Sequence, residues 1–243
     1  MKTCPTKSEQ QRRAIIMAGG EGQRLRPFTN TIPKPLLPIG RKPVAQVIIE
    51  RLKTCGFEHI TMALGYGADL VRAYFRDGSQ FGIKIDYVSE NQKLGTAGAL
   101  TMIEDIAEDE SVLVTNGDVL TDIDYRAFME KHESNQAIMT VGAVKREMIC
   151  PYGVLDVDGE TIRNVREKPK FEFIANAGIY AISANAISLI PQAIQFDMTE
   201  LINKLRENQM TVNVQMIDGF WFDLATVDDF DLASKQIEGF VKD

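Results

Sequence analysis

The chain is poor in the residues that build metal cages or disulfide frameworks, with three cysteines, two histidines and one tryptophan in 243 residues. Cys4, Cys55 and Cys150 are odd in number and share no metal-like spacing, so with only His59 and His132 beside them a zinc site is not supported. No run of about 18 apolar residues occurs, so no segment reads as membrane-spanning. The N-terminus is too polar for the apolar core of a secretory signal, and a reducing cytoplasm is the expected setting. Lys and Arg number 27 against 34 Asp and Glu, which withholds the broad basic surface that nonspecific nucleic-acid binding requires. Repeats and low-complexity tracts are also missing. With 44% hydrophobic and 25% charged residues, the composition is that of a globular protein able to bury one sizeable core.

Charge is unevenly spread. Residues 1 to 53 hold 11 Lys and Arg against 3 Asp and Glu, whereas the whole chain carries −7. A basic start and an acidic remainder suit a site that grips phosphates at one end and a divalent metal at the other. Part of the basic excess, Lys2, Lys7, Arg12 and Arg13, falls in a polar leader over residues 1 to 13 that is expected to contact nothing, leaving 14 to 243 as one domain.

The apolar run Ala14, Ile15, Ile16 leads directly into Met17-Ala18-Gly19-Gly20-Glu21-Gly22-Gln23-Arg24-Leu25-Arg26-Pro27. Gly19, Gly20 and Gly22 let backbone amides approach an anion closely, and Arg24, Arg26 and Lys34 add fixed positive charge. The pattern is neither a Walker A loop nor a dinucleotide fingerprint, whose third glycine would stand where Leu25 does. A tight strand-to-helix turn with solvated charges is the alternative reading of the glycines alone.

Downstream, short apolar runs alternate with amphipathic stretches. Strands are predicted near 14–18, 59–64, 83–88 and 111–115, and helices near 43–55, 67–76, 96–106 and 124–133. This alternation predicts an α/β, mostly parallel sheet with ligands at the carboxyl ends of its strands. From about 136 onward β-rich segments dominate (138–144, 153–157, 161–166, 173–182), predicting a mixed sheet and a lid-like lobe. A further helix is placed over 226–239.

Asp118, in Asn116-Gly117-Asp118, follows the apolar run Val112, Leu113, Val114 and would emerge into the crevice that receives phosphates, as a candidate Mg²⁺ ligand. Asp223, embedded among the aromatics Phe220, Trp221 and Phe222, is a second; it could instead cap the helix that follows, a role open also to Thr226 or Asp228. Glu167-Lys168-Pro169 could be a charged turn and Asn176-Ala177-Gly178 a bulge. Together they offer a carboxylate and an amide for hydroxyls and an ammonium for a phosphate.

Eight ordered segments, MAGGEGQRLRP, PKPLLPIGRKP, LGTAGAL, NGD, YG, EKP, NAGIY and WFDLATVDDF, carry a resemblance that covers nearly the whole chain after the leader. The sequence resembles the sugar-1-phosphate nucleotidyltransferases. The resemblance implies a Rossmann-like nucleotidyltransferase fold of the glycosyltransferase-A type, its parallel sheet flanked by helices and joined to a β-rich sugar-binding lobe. It implies transfer of a nucleotidyl group from a nucleoside triphosphate to a sugar 1-phosphate, with Mg²⁺, for glycan precursor synthesis. It places Ala18, Gly19, Gly20 and Gly22 against base, ribose and phosphates, with Gly95, Thr96, Gly98 and Asn116 shaping the nucleoside pocket. Arg24 and Lys34 would hold the triphosphate, and Asp118 and Asp223 the metal. Gly153, Glu167, Asn176, Gly178 and Trp221 fall on the sugar side, and Lys168 on the sugar phosphate. Two departures stand beside these positions: Gln23 where Thr is usual, and Ala225 where Gly is usual.

Glu90 bears on the base. A carboxylate only accepts, so it can pair with guanine N1–H and N2–H but opposes the O4 of uracil, a mismatch of about 1 to 3 kcal/mol. The reading therefore leans to GTP and the guanylyltransferase-like branch; the alternative has Glu90 in solvent and a backbone amide reading the base. Uridylyl-, thymidylyl- or cytidylyltransferases, a phosphocholine acceptor, and a silent NDP-sugar-binding regulatory subunit are the rival functions. A single tryptophan argues against a choline cage, and retention of Arg24, Asp118 and Asp223 argues against a silent subunit. Neither nucleic acid nor membrane is expected as a partner, and a homodimer is the default expectation for a protein of this size.

Overall fold

The computed structural model describes residues 12–90 and 92–237. Strand β1 (Arg12–Ala18) opens the fold, followed by the two-residue strands β2 (Pro38–Ile39) and β3 (Lys42–Pro43) and by helix α1 (Val44–Thr54). Then come β4 (Phe57–Leu64), α2 (Ala68–Phe75), β5 (Lys84–Ser89), the short α3 (Gly95–Gly98), β6 (Ser111–Asn116), β7 (Val119–Thr121) and α4 (Tyr125–Ser134). The second half holds β8 (Met139–Ile149), β9 (Gly153–Asp158), β10 (Thr161–Glu167), β11 (Lys170–Ser183), α5 (Ala184–Ile187), α6 (Met198–Glu207), β12 (Val212–Met216), β13 (Trp221–Asp223) and α7 (Val227–Ile237).

A seven-stranded sheet, ordered β12-β8-β11-β6-β1-β4-β5, organises the molecule. Its β6-β1-β4-β5 portion is parallel, β11 runs antiparallel to both neighbours, and β12 is parallel to β8. This is the expected α/β sheet with a mixed second half. The central strand β1 is apolar without alternation because both of its faces are covered. Ile16 packs with α1, α2 and α4 on one side, and Ile15 with Val112, Val114 and α6 on the other. Helix α1 forms because Val44, Ala45, Ile48, Ile49 and Leu52, all buried, recur at helical spacing. Asp124 caps α4, accepting from the amides of Arg126 and Ala127.

The structure corrects three expectations. Arg12 and Arg13 are part of β1, not of an unengaged tail: Arg13 is only 8% exposed, and its guanidinium donates to both carboxylate oxygens of Asp105, at 2.7 and 2.6 Å. A guanidinium buried to that degree requires such a partner. Arg12 donates to the carbonyl of Arg126. The rest of the proposed leader, residues 1–11, lies outside the described residues. The helix expected over 96–106 stops after α3 and one 3-10 turn, Ala99–Met102; the first-turn amides of Ala97 and Gly98 donate to Phe196 O, and Asp105 further on is paired with Arg13. Finally, α6 and β12 fill a stretch to which periodicity alone assigned no element. Its signal was local: Asp197 and Glu200 form a capping box before buried Met198, Leu201 and Leu205.

Strands β8 and β11 outrun the sheet. Beyond Ala143 and Asn176 they continue as a two-stranded ladder to Ile149 and Lys170, and β9 pairs with β10 as a separate hairpin. This arm is the β-rich lobe expected from the sequence. It leaves Leu155, Val157, Ile162 and Val165 largely exposed.

Candidate active site

The carboxyl ends of β1, β5 and β6 open onto one cleft of about 370 Å³. Gly19, Gly20 and Gly22 line it after β1, Glu90 after β5, and Asn116 and Asp118 after β6, with Gly95 and Thr96 of α3 closing the wall. Segments far apart in sequence therefore meet where an α/β sheet places its ligands. The glycine loop is fixed at its far end by Leu25, 1% exposed, which is why that position is not a third glycine. Thr29 locks it further, its hydroxyl donating to Gly22 O at 2.8 Å. Ala18 and Gly98, assigned to the nucleoside from the sequence, are buried and stand outside the cleft lining, because the sheet and the Phe196 segment cover them.

Asp118 lies at the exit of β6. Its carboxylate accepts a 2.5 Å bond from the Lys34 ammonium, so one of the two expected phosphate-binding cations is held against the first expected metal ligand. Asp223 is brought alongside by β13: it pairs with Val119 across the β7–β13 ladder, and Leu224 N donates to Asp118 O. Its carboxyl is pushed up from the ordinary aspartate range by the protein packed around it and by the Asp118 charge, against the pull of Lys34 and Arg24. Arg24, Lys34, Asp118 and Asp223 thus share one electrostatic site. Capping of α7 falls to Thr226, whose hydroxyl accepts from Asp229 N while the Asp229 carboxylate accepts from Thr226 N, so Asp223 is not spent on that helix.

Two carboxylates brought alongside each other by the β7–β13 ladder fit a divalent cation that takes one or two protein oxygens and completes its shell with phosphates and water. Among the described residues no group of three or more His, Cys, Asp or Glu is arranged to hold a metal, so a cage built wholly from protein is not what this site offers.

The NGD and NAG motifs meet directly. Gly178, at φ 69, turns β11 so closely over β6 that a Cβ there would lie 2.6 Å from Asn116 Nδ2. Asn176 holds this bulge with both ends of its amide, accepting from Gly178 N at 3.0 Å and donating to the Tyr180 hydroxyl at 2.8 Å. Trp221 also serves the turn, donating its indole N–H to Ala177 O while Arg146 stacks on its ring at 4.5 Å. Gly153 and Glu167 are paired across the β9–β10 hairpin, and Lys168, exposed and at φ 44, ends it. These arm residues stand outside the 370 Å³ cleft lining. A lysine held in the left-handed region costs about 1 kcal/mol, an expense the hairpin sustains at a position singled out from the sequence.

Glu90 turns back into the cleft and not to solvent. Its Oε2 accepts from Leu94 N at 2.9 Å, so one oxygen is already engaged in holding the LGTAG turn, and Oε1 lies toward Gly19. Sequence reasoning missed Asp197 and Lys93, which also line the cleft. Asp197 Oδ1 accepts from Thr96 N at 2.9 Å, and Thr96 Oγ1 accepts from Met198 N at 2.9 Å. The capping-box spacing was a legible signal for Asp197; Lys93 had none beyond adjacency to the LGTAG turn.

Comparison with known proteins agrees with this arrangement. The family model described as nucleotidyl transferase matches residues 13–239. A UTP–glucose-1-phosphate uridylyltransferase of Synechocystis sp. is 33% identical over 90% of this chain and 61% of its own length. A mannose-1-phosphate guanylyltransferase of Mycobacterium tuberculosis is 30% identical over 89% and 62%, so the chain spans about three-fifths of these relatives. Among solved structures, HddC from Yersinia pseudotuberculosis complexed with GMP-PN superposes with a TM-score of 0.72 at 26% identity, covering 93% of this chain and 99% of that one. A Bacillus anthracis protein described as a putative glucose-1-phosphate thymidylyltransferase gives 0.74 at 27%, covering 92% and 94%. With fold, motif order and family model in agreement, the chain belongs to the nucleotidyl transferase family.

Proposed function

We infer that this protein transfers a nucleotidyl group from a nucleoside triphosphate, GTP by preference, to a sugar 1-phosphate and releases pyrophosphate. The observation that carries the reading is the convergence of the glycine loop, Asp118 and the Thr96 turn on one cleft, with Lys34 bonded to Asp118. A sugar-phosphate oxygen attacks the α-phosphorus in line; the new P–O bond forms as the bond to the β-phosphate breaks, and no covalent enzyme intermediate is required. The residues then act by holding two anions together and offsetting charge at phosphorus and on the leaving group. Backbone amides of Gly19, Gly20 and Gly22 receive phosphate oxygens. Arg24 offsets charge on the departing pyrophosphate, and Lys34, carried on the same loop system, neutralises the site until substrate arrives. Asp118 and Asp223 would hold Mg²⁺, which when bound supplies charge neutralisation for the phosphates of both substrates. Glu167 and Lys168 of the arm face the sugar hydroxyls and sugar phosphate in this reading.

Support for GTP comes from Glu90, whose carboxylate accepts and does not donate, and from a guanylyltransferase among the relatives. A uridylyltransferase also stands among them. The expected discrimination is about 1 to 3 kcal/mol, roughly 5- to 150-fold. The test is pyrophosphate release with Mg²⁺, scanning GTP, UTP, dTTP, CTP and ATP against a panel of hexose and hexosamine 1-phosphates. Fastest release with GTP supports the reading; UTP or dTTP ahead of GTP discards the base assignment, and silence throughout discards the activity. In the same assay Asp118→Ala and Arg24→Ala are expected to lose turnover at least 100-fold while remaining folded, and retained turnover in either sinks its role.

A further inference from the structure

Position 21 is an apparent flaw in a phosphate loop. Glu21 places a carboxylate among the glycines that would receive a polyanion, and it lines the cleft. The structure shows how that charge is offset. From the opposite wall, the Lys93 ammonium reaches Glu21 Oε1 at 2.7 Å. Glu21 Oε2 accepts from the Gln23 side-chain amide at 2.9 Å, and Arg26 stands 3.8 Å from the same oxygen. Lys93 is the strongest influence holding the Glu21 carboxyl below its ordinary range, followed by Gln23. The residue that departs from the family at position 23 is thus engaged: its side-chain amide donates to Glu21.

Lys93 is also the one cation among the described residues lining the cleft; Arg24 and Lys34 approach from outside that lining. Its side chain is 74% exposed and that of Glu21 32%, so the pair is solvated and its exchange for another anion costs little. A phosphate oxygen carrying more charge than a carboxylate, presented at the same loop, is the stronger partner for an ammonium.

We propose that Lys93 is a triphosphate-binding residue held in reserve by Glu21. When a nucleoside triphosphate enters, the Lys93 ammonium leaves Glu21 Oε1 for a phosphate oxygen, while Gln23 stays hydrogen-bonded to Glu21 and Arg26 offsets its charge. Glu21 is then an internal competitor that keeps nucleotide affinity below what the loop could reach. This rests on the nucleotide-binding reading of the cleft.

The two partners predict effects of opposite sign, which separates competition from simple bracing of the loop. Lys93→Gln, Glu21→Gln and the double variant are compared with the unaltered protein by KM for the best triphosphate, kcat, and equilibrium binding of the same triphosphate. Lys93→Gln is expected to raise KM roughly 3- to 10-fold, with the larger change in KM and not in kcat, and Glu21→Gln to lower KM roughly 2- to 5-fold. In the double variant the gain from Glu21→Gln disappears, because it acts through Lys93. If both single variants raise KM, the pair merely braces the loop and the proposal is overturned. It is equally overturned if Lys93→Gln leaves KM unchanged, or if Glu21→Gln keeps its full effect without Lys93. Failure of the unaltered protein to bind any of the five triphosphates marks failure of the underlying nucleotide reading, and the proposal falls with it; binding with an indifferent Lys93 marks failure of the proposal alone.

Discussion

Replacing Gly178 by alanine tests the contact on which the cleft floor depends. Two costs add. At φ 69 an L residue pays for the left-handed region, about 1 to 2 kcal/mol. The new methyl would also stand 2.6 Å from Asn116 Nδ2 and 3.0 Å from its Cγ, so the Asn116 amide has to move by several tenths of an ångström in a packed region, an overpacking cost of about 1 to 3 kcal/mol. The sum, about 2 to 5 kcal/mol, corresponds to a fall in Tm of roughly 4 to 20 °C for a chain of this size. Gly40→Ala is the control: at φ 60 it bears the same backbone cost but meets nothing within 4 Å, so its Tm should fall by only about 2 to 8 °C. Thermal unfolding followed by circular dichroism supplies both numbers, and the difference between the variants isolates the clash. Because Asn116 lines the cleft, Gly178→Ala should also raise nucleotide KM, whereas Gly40→Ala should not. Equal Tm values for the two variants would refute the reasoning, since they would show that Asn116 yields without cost.

Asp197→Ala removes both the cap of α6 and the acceptor for Thr96 N; a loss of about 1 to 2 kcal/mol is expected, a Tm decrease of roughly 2 to 8 °C, together with a higher nucleotide KM, and unchanged Tm and KM would reject the double role. His132, 1% exposed and bonded to Thr140 Oγ1 at 2.8 Å, has its pKa lowered by burial. The unfolded chain therefore takes up a proton as pH falls through about 6.5 while the native state resists, and stability declines by up to about 1.4 kcal/mol per pH unit until the native pKa is reached. Urea unfolding at pH 8, 7, 6 and 5 should show this decline, and His132→Gln, whatever its overall stability, should flatten it; identical slopes in the two proteins would exclude His132 as the cause.

Much of the architecture was legible from short-range pattern. Unbroken apolar runs gave β1 and β6, helical spacing of Val44, Ile48 and Leu52 gave α1, and glycines after β1 gave the loop, because these signals depend on residues within one turn or one strand. Residues of the glycine loop, the LGTAG turn and the NGD segment also line one cleft. Their contacts were another matter. Lys34 meets Asp118 across 84 positions, Arg13 meets Asp105 across 92, and Thr96 meets Asp197 across 101. Each pairing follows from strand order and register, which no local window contains. The sequence by itself determined most of the strands, the helices α1, α2 and α4 and the glycine-rich turn after β1, through backbone sterics and hydrophobic periodicity. Only the tertiary structure decided that Glu21 is answered by Lys93, that Asn176 and Trp221 bond to the turn at Ala177 and Gly178, and that Thr226 and not Asp223 caps α7, because a side chain's contacts are set by the partners that folding brings within a few ångströms.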